Sequence, residues 1–352
     1  MTILADRWRG LRRLPHVSLA SLPTPIELVE PLSKNVGAEV WIKRDDVSGV
    51  LYGGNKVRKL EYVLGDALSR DADVVVVAGA AGSHHVLATA VYAAELGLGV
   101  RAVLSPQRYT PHADATLRAS QAAGATIHPV RGVVGTFPAM TSLAARLRLR
   151  GHRPVVVPIG GTSLNGMLGY VEAGIEISRQ LESRAAPEPQ AIFLPLGSGG
   201  TLAGLAVGLA AAGITSRVVG VRVVPRAFGN AARIRRLITR LVEWLRGLDP
   251  RFPDVAVDAK RQIEIDHREY GDGYGEPTGA ARAASRALHP SGIELDPTYT
   301  SKAFAALLRR ARSDLRGRRL LFLHTLSANA PAVGGAEALP LPSPLRRLMI
   351  HL

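Results

Sequence analysis

The 352-residue chain is 47% hydrophobic and 21% charged, the composition of a globular protein with a sizeable core and not of a disordered or fibrous one, and its length allows two domains. Cysteine is absent, which excludes disulfides and thiolate metal sites. The formal net charge of +15 is spread over contexts such as LAARLRLR and AARIRRLITRLVEWLRG, and with only 5% aromatic residues there is no basic run interleaved with stacking side chains, so nucleic-acid binding is not expected as a main function.

The first residues, MTILADRWRGLRRLP, carry charge where a secretory signal needs an apolar stretch, and the expectation is a cytoplasmic protein. In YGGNKVRKLEY, residues 52–62, two glycines and an asparagine precede Lys56 before a helix-compatible pattern resumes. A lysine on a solvated helix face needs no such setting. One that bonds covalently to a flat cofactor needs the close backbone approach that glycine permits. On this stretch alone, a turn followed by an ordinary basic helix is an equally good reading.

DVVVVAG, residues 73–79, is a β-branched run that leads through AAGSHH into the helical VLATAVYAAELGL, and VRAVLS follows as the next strand. Ser83, His84 and His85 stand at that helix start, where free amides and a hydroxyl suit a carboxylate. Sequence-adjacent histidines seldom face one ion on a helix, and neither a His-Glu-x-x-His motif nor an acidic cluster accompanies them, so no metal is expected.

RPVVVPIGG, AIFLPLGSGG, RVVGVRVVP and RLLFLHT continue the same order, each apolar run opening into a loop. Continuous apolar strands alternating with helices predict parallel sheets covered on both faces, and their number favours two α/β domains over one. After AIFLPL, the residues Gly197, Ser198, Gly199, Gly200 and Thr201 lie between strand and helix, where amides and hydroxyls converge as a cradle for a phosphate. The loop lacks the Gly-Lys-Thr/Ser ending of a P-loop, and the next strand has no acidic residue for a dinucleotide ribose. One phosphate group is the expectation, with a tight packing turn as the alternative. The apolar stretch 201–214 is too short to span a bilayer and reads as a buried helix. A poised lysine, a phosphate cradle and a carboxylate pocket together suggest pyridoxal phosphate, with a small amino acid as substrate.

The blocks LPTPIELVEPLSKNVGAEVWIKRDDVSGVLYGGNKVRKLEY, the Ser-His-His loop, PIGGTSLNGMLGYVEAGIEI, GSGGT, YGDGYGEPT, LDPTYTSKA and LFLHT resemble, in order, those of the D-cysteine desulfhydrase and aminocyclopropane-carboxylate deaminase family. These are fold-type II pyridoxal-phosphate enzymes related to the tryptophan synthase β subunit. The resemblance implies two three-layer α/β domains with mainly parallel twisted sheets and the cofactor in the cleft between them. The larger, cofactor-binding domain would take residues 1–58 and 163–352, the smaller 59–162, and the molecule would be a homodimer. It further implies that Lys56 is the Schiff-base lysine and catalytic base, that Asn55 meets the cofactor's ring hydroxyl, and that residues 197–201 hold its phosphate. Ser83, His84 and His85 fall at the substrate carboxylate, Tyr274 and Tyr299 near the substrate side chain, and Thr325 at the pyridine nitrogen.

Within that family the ring-opening deaminases carry a glutamate after the second tyrosine and a leucine after the late histidine. This chain has Thr300 and Thr325 there, which favours α,β-elimination from a β-substituted amino acid to a 2-keto acid and ammonia. Aminocyclopropane-carboxylate deamination, β-replacement, or cofactor binding without turnover are the alternatives. Two departures stand out: His84 replaces the usual asparagine, and Leu326-Ser327 replace a pair of glycines. They imply a reshaped pocket.

Overall fold

The computed structural model describes residues 2–329 and 343–350. Val74–Ala80, buried at every position but the last, lies inside a four-stranded parallel sheet ordered Ala125–Pro129, Gly99–Ser105, Val74–Ala80, Pro154–Val157. A six-stranded sheet is ordered Ile26–Leu28, Glu39–Lys43, Arg319–Leu323, Ala191–Leu196, Arg217–Arg222, Ile263–Asp266, and only its edge strand Ile26–Leu28 runs antiparallel. The fold is therefore the mainly parallel α/β arrangement expected. Strands buried on both faces need apolar residues at every position, which is why they read as unbroken runs.

The stretch after the glycine loop forms the helix Gly200–Ala211, buried along nearly its whole length against the helix Leu164–Glu182. Among the described residues no helix is long and apolar enough to cross a membrane. The end of the described chain departs from the expected division: Met349–Ile350 pairs with Gln107–Arg108, and Leu345, Leu348 and Met349 join the apolar core of the four-stranded body. This return was hidden because the pairing is only two residues long and spans most of the sequence.

The helix Asn55–Ser69 is shared between the two bodies. Val57, Leu60, Val63, Leu64 and Ala67 enter the core of the four-stranded body, whereas Tyr62 belongs to that of the six-stranded one. Its first turn is pinned by a buried ionic network. Arg58 donates to Asp45 at 2.8 and 3.0 Å and to Glu176 at 2.9 Å through two nitrogens. Lys43 reaches Glu176 at 2.5 Å, and the Tyr170 hydroxyl donates to Asp45 at 2.7 Å. Burial pushes both carboxyls up, but Arg58 and Lys43 outweigh it and hold them below the usual carboxylate range. Two cations facing two carboxylates leave the cluster neutral, the condition under which charges tolerate such burial.

Candidate active site

The turn before Lys56 is closed over by distant backbone. Gly54 has φ +84°, and a Cβ there would lie 2.6 Å from the Thr325 carbonyl oxygen, so both conformation and space require glycine. The Asn55 amide donates to that carbonyl at 3.1 Å, the Gly54 amide to Asp45 O at 2.8 Å, and the Gly53 amide to Ser327 Oγ at 2.7 Å. Lys56 thus starts its helix on a fixed platform. Burial pulls its ammonium down to about 8, which leaves a substantial fraction neutral near physiological pH.

Asn55 joins this turn to the glycine loop, its Nδ2 donating to Thr201 Oγ1 at 3.1 Å. In that loop Gly199 has φ +94° and caps the helix Gly200–Ala211, aiming the free amides of the first turn outward. Sequence reading missed two neighbours. The Thr162 hydroxyl donates to Ser198 Oγ at 2.6 Å, and Lys59 Nζ lies 3.3 Å from where a Gly200 Cβ would stand. Lys59 is 1% exposed, and its one hydrogen-bonded group among the described residues besides its own helix is the Gly160 carbonyl, at 3.1 Å. Burial, then Lys56, hold its pKa well below the ordinary lysine value. A signal existed: Lys59 follows Lys56 by three residues on one helix face.

Two adjacent lysines beside a helix N-terminus, neither bonded to a carboxylate among the described residues, suit an anion. His85 adds to this. It is 2% exposed and neither ring nitrogen has a hydrogen-bond partner among the described residues, the Pro158 carbonyl lying near without bonding geometry. Its ring stands beside Gly161 and the Lys59 stem. The cradle, the buried ammonium and the unpartnered imidazole fit a phosphorylated, polar, flat group such as pyridoxal phosphate.

Ser83 caps the helix His84–Glu95, accepting from the Val86 amide at 3.4 Å. With the cap supplied by Ser83, the His84 side chain is free for other partners: its Nδ1 lies 2.5 Å from the Tyr52 hydroxyl and its Nε2 2.7 Å from His112 Nε2. Burial first, then His112 and Lys56, pull His84 down to about 4 against the opposing pull of Asp296.

Tyr299 reaches the glycine loop, its Cε1 standing 3.5 Å from a Gly197 Cβ position. Its hydroxyl is 2.5 Å from that of Tyr274, the rings edge to face at 5.9 Å. Burial raises both phenols, Tyr274 to about 12. Asp296, unnoticed in the sequence, sets the Tyr299 backbone: its carboxylate accepts from the amides of Thr298, Tyr299 and Thr300 and from the Thr300 hydroxyl. Thr300 is fully buried in this cap, so the residue after the second tyrosine acts through Asp296 and offers no group to a substrate. The loop of Tyr274 is held by Lys302, which donates to the carbonyls of Tyr270 and Gly273, and by the Arg108–Glu276 ion pair from the other body. Leu326-Ser327, the second departure, belongs to a tie across the lysine turn: Ser327 receives Gly53, and Asn329 Nδ2 donates to the carbonyls of Gly49 and Val50.

The geometry therefore brings Asn55, Lys56, residues 197–201, Tyr274, Tyr299 and the Thr325 backbone together, with the histidine loop within electrostatic reach of Lys56. Among the described residues no group of three His, Asp or Glu is placed to hold a metal. An open groove lined by Arg70, Arg148, His152 and Trp244 lies elsewhere and shares none of these residues.

Comparison with known proteins gives the family. The profile of the family described as "Pyridoxal-phosphate dependent enzyme" matches residues 17–325. A "Putative 1-aminocyclopropane-1-carboxylate deaminase" of Pyrococcus furiosus is 36% identical over 316 residues, covering 90% of this chain and 92% of the relative. A "D-cysteine desulfhydrase" of Klebsiella pneumoniae is 34% identical over 341 residues, 94% and 97% of the two chains. Among solved structures, an "ACC deaminase homologue" superposes with a TM-score of 0.77 at 32% identity over 97% of this chain and 98% of its own. A threonine deaminase isoform of Solanum lycopersicum, 20% identical with a TM-score of 0.61 over 96% and 89%, shares the fold.

Proposed function

The chain belongs to the pyridoxal-phosphate dependent enzymes, and from that premise we propose that it is a lyase catalysing α,β-elimination from a β-substituted amino acid, D-cysteine desulfhydrase-like, with a 2-keto acid and ammonia as products. The observation that carries the reading is the pairing of Lys56, poised at a pKa of about 8, with a cation-lined phosphate cradle one hydrogen bond away through Asn55.

When bound, pyridoxal phosphate supplies an electron sink that acidifies the substrate's α C–H bond. Lys56 would hold it, and its Nζ would take the substrate's α-proton; desolvation lowers the amine's pKa toward the working pH, where a general base is most effective. The amides of residues 197–201, the Ser198 and Thr201 hydroxyls and the Lys59 ammonium bind the phosphate. Asn55 would meet its ring hydroxyl, and Thr325 would offer its ring nitrogen a neutral partner. Ser83 and the first-turn amides at His84 and His85 bind the substrate carboxylate. Tyr299, oriented by Asp296 and bonded to Tyr274, borders the β substituent. The lysine turn and Thr325 belong to the larger body of this proposal, residues 1–58 and 163–352 apart from the end segment 345–350 that packs on the smaller body, and the histidine loop to the smaller, 59–162; a homodimer in the cytoplasm completes it, checked by sedimentation and cell fractionation.

The test is keto-acid and ammonia release from a panel of D- and L-β-substituted amino acids. The 36%-identical relatives give a second reading, so 1-aminocyclopropane-1-carboxylate belongs in the panel. Release from that compound alone would assign the deaminase activity instead, and release only in the presence of a second nucleophile would assign β-replacement.

A further inference from the structure

One constellation is left unused by the roles above. The Tyr52 hydroxyl, the His84 ring and the His112 ring form an unbroken line: 2.5 Å from phenol oxygen to Nδ1, then 2.7 Å from Nε2 to Nε2. The three residues come from three places, the turn before Lys56, the first turn of His84–Glu95, and the first turn of Pro111–Ala122. Tyr52 is 3% exposed, while His112 is only half-buried, so the line runs from the interior toward solvent. The Asp296 carboxylate acts electrostatically on Tyr52, His84, Tyr274 and Tyr299 alike.

Each junction holds one proton, and each ring can present its proton on either nitrogen. If His112 donates from Nε2 to His84 Nε2, then His84 donates from Nδ1 to the Tyr52 oxygen, and the Tyr52 O–H points onward. Shifting every proton one place moves one proton from solvent to pocket without displacing a heavy atom. The charged groups facing His84 are Lys56, His112 and Asp296, and those facing His112 include His84 and Asp296. Lys56 disfavours a resting positive charge on the line, while the Asp296 carboxylate stabilises one in transit.

Elimination needs such a proton. When a thiol-bearing substrate reacts, the Cβ–S bond breaks, its electron pair leaves on sulfur as hydrosulfide, and a new S–H bond forms; a proton delivered as the bond breaks lets the group depart as neutral hydrogen sulfide, which is general-acid assistance. We propose that Tyr52, His84 and His112 form a proton relay that carries this proton from solvent into the pocket bordered by Tyr299. The proposal rests on the elimination reading. In it His112, which touches neither substrate nor cofactor, is a positioning and relaying residue, and the imidazole at position 84 acquires a purpose that an asparagine could not serve, since an amide cannot pass a proton through itself.

The experiment uses full-length, cofactor-loaded protein and two probes of the same configuration, cysteine and β-chloroalanine. Chloride departs as the ion and needs no proton. His112→Phe is expected to lower kcat for cysteine about a hundredfold, the low end of what losing acid–base assistance costs, with KM little changed and β-chloroalanine turnover altered less than twofold. The wild type should show a solvent isotope effect on cysteine that curves with deuterium fraction, as more than one proton moves; in His112→Phe the curvature should vanish. His112→Asn, which keeps a polar group but cannot relay, should behave as His112→Phe does, and equal cofactor loading in all three proteins controls for folding. Equal losses on both probes, or no loss on cysteine, would overturn the relay. Keto acid from neither probe in the wild type would instead overturn the elimination reading, and with it the destination given to the proton. The inner hydrogen bond is also read without turnover: a strongly downfield ring N–H proton resonance, absent from His112→Phe, is expected, and its absence from the wild type would count against the relay.

Discussion

Lys59→Met should shift the protein with and without cofactor in opposite directions. Without cofactor, Lys59 is an ammonium buried beside a second lysine, with the Gly160 carbonyl as partner at 3.1 Å, and its pKa is held well below the ordinary value, first by burial and then by Lys56. The unfolded chain therefore takes up this proton first as pH falls from above 10, and the folded state loses stability from there down toward its own lower pKa. Methionine fills similar volume and carries no proton. The variant without cofactor should melt higher than the wild type, by a margin that grows as pH falls from 10 toward neutrality. With cofactor the sign reverses, because the ammonium then meets a phosphate across the space that a Gly200 Cβ would approach to 3.3 Å. A hydrogen bond between charged groups contributes roughly 1.5 to 3 kcal/mol, so cofactor affinity should fall about tenfold to 150-fold. Absorbance titration of cofactor-free protein gives the dissociation constant, and thermal melts of both forms at two pH values give the stability signs. An unchanged dissociation constant, or a cofactor-free variant that melts lower, would refute the assignment of Lys59 to the phosphate.

Covalent capture of pyridoxal phosphate needs the neutral Lys56 amine, so its rate should rise about tenfold per pH unit below 8 and level off above the lowered pKa of about 8. Stopped-flow absorbance checks this, a midpoint near 10 would refute it, and borohydride reduction should place the adduct on Lys56 by peptide mapping. Thr201→Ala should weaken cofactor binding about tenfold to a hundredfold while slowing saturated turnover less, read from equilibrium titration beside kcat; an unchanged dissociation constant would make the loop a packing turn. Glu176→Ala leaves the fully buried Lys43 and Arg58 to share Asp45, and urea denaturation should show a loss of about 3 to 5 kcal/mol. His84→Asn should lower kcat/KM for cysteine more than for β-chloroalanine and change the pH profile, since it breaks the line between Tyr52 and His112; parallel changes for every substrate with an unaltered profile would deny it a part in specificity.

The strands and the glycine-bearing turns were legible because each is set by neighbours in the chain. Val74–Ala80 needs β-branched residues on both faces, and Gly54 and Gly199 need positive φ, so the local pattern carries the information. The ordinary-helix reading of the lysine segment also held in part, since Asn55–Ser69 is a helix. What distinguishes Lys59 from a surface lysine is the covering by Gly160, Gly161 and Gly200, which no window around residue 56 contains. Thr300 shows what position alone hides: it stands beside Tyr299, yet its hydroxyl closes a cap with Asp296.

By itself, then, the sequence determined the α/β class, the strand–loop–helix order and the glycine-bearing turns, because backbone conformation and solvent burial act over a few residues. Only the tertiary structure decided which side chains meet. His112 comes to His84 across 28 positions, Ser327 to Gly53 across 274, Glu176 to Arg58 across 118, and Met349–Ile350 to Gln107–Arg108 at the far end of the chain. Such meetings follow from how two sheets and their helices pack around separate cores, a global balance of burial and electrostatics in which the spacing of residues along the chain has no say.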